Sequence, residues 1–284
     1  MSTSSTSTTL HLLSSRVNLD CDCADFSCRV RRWFSIDAHL ENKLSSGFPN
    51  LRITAVSHTS DCCPRTWKVV QYDTSCQLPR AKNGVPTSAD AVVAAITHWV
   101  AFNDTQYFTL HAAAVRVSGK TIVLPGHSGS GKSTLVASLL SSGFSLHSDE
   151  LVAIHIRRKR VANFSRNVHL RRDALRVLGK DALQPQGFQT SEGVVVSPED
   201  LGGKWAAEGA IPSAIVFPQY SGETWIHQLQ HSEALARILE STCIHESRCE
   251  HDIECAIWLA QFVPVYDLGY ATLYDAASML RSIV

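Results

Sequence analysis

The segment that decides how this chain folds is Gly126-His127-Ser128-Gly129-Ser130-Gly131-Lys132-Ser133. It fits the pattern G-x-x-x-x-G-K-[ST], a loop whose backbone N–H groups surround the phosphates of a nucleotide. An apolar, β-prone run over 121–125 precedes it, and a helix-like run over 133–140 follows it. This strand–loop–helix context predicts a phosphate-binding loop (P-loop). The alternative is a glycine- and serine-rich linker that matches the pattern by chance.

The residue types in this loop predict individual roles. Lys132 is expected to reach the β- and γ-phosphates of ATP, and the hydroxyl of Ser133 is expected to bind Mg²⁺. The new helix points its positive end at the bound phosphates. We therefore expect nucleotide contacts from the loop and the first helical turn, at Gly126, His127, Ser128, Gly129, Ser130, Gly131, Lys132, Ser133 and Thr134.

Three further residues near the loop can carry chemistry. Asp149 and Glu150 stand at the end of a predicted strand, and phosphoryl transfer needs a carboxylate to order metal and a base near the attacking hydroxyl. His111 interrupts an apolar strand just before the loop and is followed by three alanines. The alternatives are a solvated acidic pair at a turn and a core histidine with satisfied hydrogen bonds.

The overall charge and hydropathy exclude several classes of partner. The formal net charge is zero, because 26 Lys and Arg residues balance 26 Asp and Glu residues. This balance argues against nucleic acid or an anionic membrane as a partner. No apolar run reaches the roughly 18 residues of a membrane-spanning helix. Residues 1–15 are rich in Ser and Thr without the basic start of a signal peptide, so we expect a disordered tail there and a cytoplasmic protein.

The nine cysteines favour free thiols, because their number is odd and the N-terminus has no export signal. Neither group of cysteines has the spacing of a zinc site. The late group mixes cysteine with histidine at irregular intervals. The early group has no C-x-x-C pair and consists of Cys21, Cys23, Cys28, Cys62, Cys63 and Cys76. We therefore expect no structural metal in the late group, which consists of Cys243, His245, Cys249, His251 and Cys255.

The pattern of the chain divides it into a tail, a small module and a larger domain. Residues 16–87 form the expected small β-rich N-terminal module, with strands predicted at 28–36, 51–56 and 66–72 and a linker over 79–87. Residues 88–284 form the expected α/β catalytic domain. Its strands are predicted at 107–115, 121–125, 144–154, 194–196, 214–217 and 264–268, and its helices at 88–100, 133–140, 232–239, 249–262 and 272–283. We expect Ser88 to cap the first of these helices, Gly143 to end the helix after the loop, and Thr272 and Asp275 to form a capping box at the start of the last.

Three segments in this order resemble the catalytic core of the HPr serine kinase/phosphorylase family. They are Leu110-His-Ala-Ala-Ala-Val115, Gly126-His-Ser-Gly-Ser-Gly-Lys-Ser-Thr-Leu135 and Ser142-Gly-Phe-Ser-Leu-His-Ser-Asp-Glu150. The resemblance is greatest to the smaller HPr-kinase-related kinases found beside peptide-modifying and other biosynthetic genes. Order and spacing match over about 107–155, and the segments 215–218, 232–235 and 263–268 resemble these relatives more loosely.

The resemblance implies a P-loop-containing kinase core that uses ATP and Mg²⁺ to phosphorylate a hydroxyl. Asp149 occupies the position of the family's base, and His111 and Lys132 match its other catalytic positions. Glu150 stands where the family usually has a second aspartate, so the implied metal ligands are Ser133, Asp149 and Glu150. The first choice of acceptor is a serine of a peptide or small protein. The alternatives are a small-molecule alcohol and a nucleotide-gated regulatory ATPase.

The chain also departs from the HPr kinases. It lacks their E-x-R-G-L-G-I segment and their late P-V-x-x-G-R-N segment, which argues against HPr itself as the substrate. The phosphoryl group still needs a cation, and the candidates are Arg166, Arg171, Arg172 and Lys204. The family's hexamers leave a homo-oligomer open for this chain.

Overall fold

A computed structural model describes residues 6–21, 24–34, 50–60, 63–72, 89–127, 129–179, 187–190, 192–206, 209–243 and 249–284. The chain divides into two compact units, residues 1–104 and residues 105–284. None of the helices in these ranges has the length and apolar character that crossing a membrane requires.

Unit 1 contains a four-stranded sheet with the strand order β1-β2-β3-β4. The β1/β2 and β3/β4 pairs are antiparallel, and the β2/β3 pair is parallel. Its elements are β1 (Thr6–Leu12), β2 (Ser15–Cys21), α1 (Ala24–Trp33), β3 (Asn50–Ser60), β4 (Cys63–Tyr72) and α2 (Ala89–Asn103). The last two strands confirm the strands predicted at 51–56 and 66–72.

The expected disordered tail is wrong for its described part, because β1 pairs with β2 along its whole length. Leu10 and Leu12 alternate with polar residues and bury the face that this period of two creates. The tight turn after them is fixed by Asp104, whose carboxylate accepts hydrogen bonds from the backbone N–H of Ser14 at 2.9 Å and from the hydroxyl of Ser15 at 3.1 Å. A high content of Ser and Thr therefore marks a strand here.

The strand predicted over 28–36 is also wrong, because helix α1 covers most of it. Phe26, Val30 and Trp33 are spaced as one helical face, and all three are buried. The indole N–H of Trp33 donates to Asp90 of α2 at 3.3 Å. Helix α2 thus belongs to unit 1, so the predicted boundary at residue 88 moves to about 104. The predicted linker over 79–87 and the cap at Ser88 lie outside the described residues.

Unit 2 is built on a mixed sheet of nine strands. Its first elements are β5 (Tyr107–Val117), β6 (Lys120–Pro125), α3 (Lys132–Ser141), β7 (Ser145–Ser148), β8 (Leu151–His155), β9 (Val161–Ala162), β10 (Val168–Arg171) and α4 (Arg172–Val177). The remaining elements are β11 (Phe188–Gln189), β12 (Gly193–Val196), β13 (Lys204–Trp205), β14 (Pro212–Tyr220), β15 (Trp225–Gln228), α5 (His231–Glu240), α6 (Cys249–Phe262), β16 (Val265–Tyr270) and α7 (Leu273–Ser282).

The main path of this sheet has the order β13-β7-β5-β6-β14-β16-β15, and β8 extends the pairing of β5 towards β9. Strands β6, β14 and β16 are parallel neighbours, whereas β5 is antiparallel to β6 and β7. A separate three-stranded sheet has the order β10-β12-β11. The architecture is therefore mixed α/β with a central mixed sheet.

Helices cover both faces of the central sheet. One core joins α3, α7 and the three-stranded sheet to one face, and a second core joins α5 and α6 to the other. Strand β5 serves both cores, because Ala113 and Val115 face the first while Leu110, Ala112 and Ala114 face the second. The small alanines allow close packing at the centre of the sheet.

Two turns next to the loop follow from positive φ angles. Ser118 and Gly119 have φ of 50° and 80°, the backbone of a type I′ turn, so β5 and β6 form a tight hairpin. Gly143 has φ of 89° and closes α3 with two hydrogen bonds, from its own N–H to the carbonyl of Leu140 and from Phe144 N–H to the carbonyl of Leu139. The prediction of a glycine stop at residue 143 is confirmed.

The predicted capping box of the last helix is present. The hydroxyl of Thr272 accepts from the backbone N–H of Asp275 at 3.1 Å, and the carboxylate of Asp275 accepts from the N–H of Thr272 at 3.1 Å. We expect Thr272→Ala to lower the free energy of unfolding by about 1 kcal/mol. Thr272→Ser is the matched control and should keep near-normal stability in urea unfolding. Equal losses in both variants would contradict this account of the cap.

Candidate active site

The glycine-rich loop connects the end of β6 to the start of α3. Gly129 and Gly131 have φ of 84° and 85°, which other residues adopt only with strain. A Cβ atom on Gly126 would lie 2.9 Å from the hydroxyl oxygen of Ser130, so only glycine fits there without displacing it. Ser128 lies outside the described residues. The loop thus has the close backbone path that a phosphate cradle needs.

The N-terminus of α3 opens towards the same place. Gly131 is the N-cap residue and offers no side chain to accept from the first N–H groups. The first helical hydrogen bond runs from Leu135 N–H to the carbonyl of Gly131 at 2.9 Å. The N–H groups of Lys132, Ser133 and Thr134 precede it, and such groups have no partner within their own helix. This arrangement favours an anion at the helix start.

Lys132 is buried, with 5% of its surface exposed. Its ammonium group donates to the carbonyl of Gly126 at 3.2 Å and lies 3.3 Å from Nε2 of His111. Because an ammonium group only donates, Nε2 accepts and the ring proton is on Nδ1, which lies 3.5 Å from Oε1 of Glu150. Burial and the charge of Lys132 lower the pKa of His111, so we expect a neutral imidazole at pH 7.

Asp149 is a buried carboxylate at the end of β7, with 3% of its surface exposed. Its Oδ2 accepts from the hydroxyl of Ser133 at 2.9 Å. Its Oδ1 is buried and has no hydrogen-bond partner among the residues that the structure describes. Burial raises the pKa of Asp149, with a smaller rise from Glu150, while Lys132, Ser133 and Arg166 act in the opposite direction.

Glu150 is strained, because its φ of 86° is in the left-handed region that favours glycine. The residue forms the bend between β7 and β8. This bend brings Asp149 and Glu150 to one site, although neighbouring residues of a straight strand would point to opposite faces. Strained residues of this kind persist where the surroundings hold them, and they are frequent at functional sites.

A cavity of about 390 Å³ joins these groups. It brings together most of the predicted site, namely His127, Gly129, Gly131, Lys132, Ser133, Thr134, Asp149 and Glu150. His111 contacts this group through Lys132 and Glu150. The four candidate cations separate: Arg166 and Arg171 line the cavity, whereas Arg172 and Lys204 are exposed and do not line it.

Sequence reasoning missed part of the cavity wall, which Asn167, His169 and Asp173 complete. For His169 the sequence contained a signal, because buried and outward-facing residues alternate with a period of two along β10. Val168 and Leu170 are fully buried in the core, so the residues on either side of them in β10 must point the other way. These residues point towards the loop because β10 packs against α3. That packing is not a local feature of the sequence, so the sequence alone did not indicate it.

The residues of the cavity fit Mg²⁺ better than a soft metal. The unpartnered Oδ1 of Asp149 is an orphaned buried oxygen, and the neighbouring Ser133 and Glu150 also offer oxygen atoms, which Mg²⁺ prefers. Within the described ranges, no three His, Cys, Asp or Glu side chains are grouped to hold a metal ion by themselves. A cation here would thus also need phosphate oxygens or water.

The late cysteine group is only partly visible. Neither Cys243 nor Cys255 is in a disulfide bond, and burial raises the pKa of Cys255 to about 11. A thiol with this pKa stays protonated at neutral pH, and the thiolate is the form that binds metal. His245 and the side chain of Cys249 lie outside the described residues, so the absence of a structural metal stays a prediction.

A fully buried histidine, His147, does not line the cavity, and its surroundings predict a pH dependence of folding stability. His147 is fully buried, and its ring nitrogens lie 2.7 Å from Oδ1 of Asn163 and 3.0 Å from the hydroxyl of Thr121. The amide N–H of Asn163 donates to the carbonyl of Ala206, so its oxygen faces Nδ1–H of a neutral ring. Burial lowers the pKa of His147.

Folding stability should therefore fall as the pH drops from about 7 to about 5. The lowered pKa means that the unfolded state binds a proton before the folded state does, so the stabilisation is complete above the unfolded pKa of about 6.5 and is lost below it. Thermal melting across this range measures the slope. His147→Gln should flatten it, and His231→Gln, at an exposed position, should not. An unchanged slope in His147→Gln would contradict the assignment.

Comparisons with known proteins establish no family. No protein-family model matches the chain, and no curated protein matches it. Among solved structures, the chain is similar to the HPr(Ser) kinase/phosphatase from Coxiella burnetii, with 11% sequence identity and a TM-score of 0.35. The match covers 61% of this chain and 94% of that chain. A likeness of this size does not establish an activity.

Proposed function

We propose that this chain is an ATP- and Mg²⁺-dependent kinase that transfers the γ-phosphate to a hydroxyl group. The observation that carries the proposal is the hydrogen bond of 2.9 Å between the hydroxyl of Ser133 and the buried carboxylate of Asp149. It joins a phosphate-binding loop to an acid within one cavity of about 390 Å³. Phosphoryl transfer needs positioning and electrostatic stabilisation, and this pair contributes to both.

The phosphates of ATP would bind at the start of α3. The loop glycines allow the backbone to approach them, and the N–H groups at the helix start would donate to their oxygens. Lys132 is already held at this point by the carbonyl of Gly126, so its charge is in place before the nucleotide arrives. Mg²⁺ would be held by Ser133, Asp149 and Glu150, and when bound it supplies positive charge against the phosphates.

Asp149 is the proposed general base. Its pKa is raised by burial, which moves a carboxylate towards the range in which a base acts well near neutral pH. The acceptor hydroxyl would give its proton to Asp149 while its oxygen bonds to the γ-phosphorus. The bond from that phosphorus to the bridging oxygen breaks, and its electron pair leaves with ADP. Proton, phosphoryl group and leaving group are then all accounted for.

His111 is proposed to position the site without exchanging a proton. Its neutral ring accepts from Lys132 and faces Glu150 with Nδ1–H, so it links the phosphate-binding lysine to the second acid. Burial and the charge of Lys132 lower its pKa, which favours a neutral ring at neutral pH. Its residue type alone favoured a core histidine, and its two contacts favour this positioning role.

For the acceptor we propose a serine of a peptide or small protein, which follows from the resemblance of the three core segments. A small-molecule alcohol is the second choice within the same chemistry. The alternative of another class is a nucleotide-gated ATPase that drives a partner. We also propose a cytoplasmic location and a homo-oligomer.

The acceptor separates these proposals experimentally. The protein is incubated with ATP and Mg²⁺ alone, and then with pools of peptides and of small alcohols. ADP formation that rises with a pool, together with a phosphorylated product in mass spectrometry, supports a kinase. ADP formation matched by free phosphate and unaffected by any pool would overturn the proposal in favour of the regulatory ATPase.

A further inference from the structure

The sequence left four basic residues as candidates for the cation that contacts the transferring phosphoryl group. They differ in exposure and in whether they line the cavity. Arg172 and Lys204 are exposed and do not line the cavity. Arg171 lines the cavity, but its guanidinium lies 3.5 Å from the carboxylate of Glu192, and about 60% of each side chain is exposed, at 61% and 62%. Arg166 differs from all three, because it is half-buried.

Arg166 lies between β9 and β10 on the cavity wall, together with Lys132, Ser133, Asp149 and Glu150. The charges of Arg166, Asp149 and Glu150 act on one another, and all three residues line the same cavity. Its backbone N–H is held by the carbonyl of Phe164 at 2.6 Å. Phe164 is itself buried, so the segment that carries the arginine is anchored in the core.

We propose that Arg166 is a catalytic residue, the cation that contacts the phosphoryl group as it passes from ATP to the acceptor. The inference rests on the proposed kinase function and adds the missing cationic partner. As the bond to ADP breaks and the bond to the acceptor oxygen forms, charge spreads over the outer oxygens of the phosphoryl group. A guanidinium group offers them two parallel N–H donors.

Lys132 is not expected to meet this need alone. Its ammonium group is bound to the carbonyl of Gly126 and to His111, at the start of the loop where ATP would place its phosphates in the ground state. Arg166 lines the same cavity as the two acids, beside which the acceptor hydroxyl would lie. An interaction that strengthens in the transition state raises the rate, whereas one that binds both states equally does not.

A simpler role for Arg166 is that of a counter-ion which only balances Asp149 and Glu150. The two roles predict different results. A counter-ion sets the pKa of the base, so its removal shifts the pH profile of the rate, because a nearby positive charge favours the ionised carboxylate. A residue that contacts the phosphoryl group also determines how tightly the site binds an analogue of the transition state for phosphoryl transfer.

The test compares ground-state and transition-state binding in Arg166→Gln and Arg166→Lys. Binding of a non-hydrolysable ATP analogue with Mg²⁺ is measured by calorimetry, followed by binding of ADP with Mg²⁺ and aluminium fluoride. We expect Arg166→Gln to bind the ATP analogue within a few-fold of wild type and the fluoride complex about 10²–10³-fold more weakly. Arg166→Lys keeps the charge without the paired donors, so its affinity for the fluoride complex should lie between those of wild type and Arg166→Gln.

Arg172→Gln is the matched control, because Arg172 is a nearby exposed arginine that does not line the cavity. It should bind both ligands like wild type. Equal binding of the fluoride complex by wild type and Arg166→Gln would overturn the inference while leaving the kinase proposal intact. If wild type itself does not bind that complex, the proposed function fails. Thermal melting of each variant shows that a loss does not come from unfolding.

Discussion

Lys132→Ala is expected to remove nucleotide-dependent turnover, with a fall in kcat/KM of about 10³-fold or more. The ammonium group is the charge that the proposed mechanism places against the phosphates, and it donates to the carbonyl of Gly126 at 3.2 Å. Alanine removes that charge and leaves Nε2 of His111 without its donor. The measurement is steady-state turnover with ATP, Mg²⁺ and the acceptor.

The same variant should stay folded, so the loss can be assigned to the site. Lys132 is buried, but its side chain serves the loop and the cavity, whereas the core depends on residues such as Leu135 and Val136. We expect a normal circular dichroism spectrum and no rise in melting temperature on adding ATP and Mg²⁺. Lys120→Ala, at an exposed lysine on β6, is the control and should keep both turnover and ligand-induced stabilisation. Wild-type turnover in Lys132→Ala would refute the role.

Asp149→Asn is expected to lower kcat by about 10²–10⁴-fold while ATP affinity changes little. Asparagine keeps the size of the side chain and can still accept from the hydroxyl of Ser133, but it cannot take a proton. The change therefore removes the base and leaves the phosphate contacts of the loop. Steady-state titration of ATP gives both constants. Near-normal kcat would mean that the base lies elsewhere, with His111 as the next candidate.

The same substitution should stabilise the fold at neutral pH. Because burial raises the pKa of Asp149, ionisation above the ordinary carboxylate pKa of about 4 favours the unfolded state, and this penalty persists at pH 7. A neutral asparagine does not carry the penalty. We expect a higher melting temperature for Asp149→Asn than for wild type at pH 7 and a smaller difference near pH 4. A variant that is more stable but slower is typical of a residue that serves function at the expense of folding stability.

Glu150 should show a different phenotype from its neighbour. Glu150→Gln is expected to raise the Mg²⁺ concentration for half-maximal rate, because a neutral amide is a weaker ligand for a hard cation. Glu150→Asp, which keeps a carboxylate at this position, should retain most activity. The readout is a Mg²⁺ titration at saturating ATP. If Asp149→Asn raises the Mg²⁺ requirement more than Glu150→Gln does, and Glu150→Gln lowers kcat more than Asp149→Asn does, the roles of the two acids are reversed within the same site.

The elements that the sequence predicts well are those that local rules determine. The loop and α3 follow from glycines and a lysine at fixed spacing. The end of α3 at Gly143 and the start of α7 at Thr272 follow from backbone and capping chemistry. The same local rules fail in unit 1. Residues 24–33 have a buried stripe of helical period that their β-prone composition concealed, and β1 is a strand with the composition of a tail.

The site could be predicted in part for the same reason. The motif and the acidic pair indicated Lys132, Ser133 and Asp149, and the structure brings these residues together at one cavity. Arg166 could not be separated from three other basic residues, because its burial depends on how β10 packs against the core of unit 2. The left-handed backbone of Glu150 was likewise invisible, since glutamate gives no local signal for it.

The measurement that tests the central claim most directly is the fate of a labelled γ-phosphate. ATP carrying ¹⁸O on its non-bridging γ-oxygens is incubated with the protein, Mg²⁺ and the acceptor that the pools identify. Direct transfer predicts a phosphoester on the acceptor hydroxyl that retains all of the labelled oxygens, and about 10²–10⁴-fold less of it with Asp149→Asn over the same time. Labelled inorganic phosphate as the only product, with the acceptor unmodified, would contradict the account.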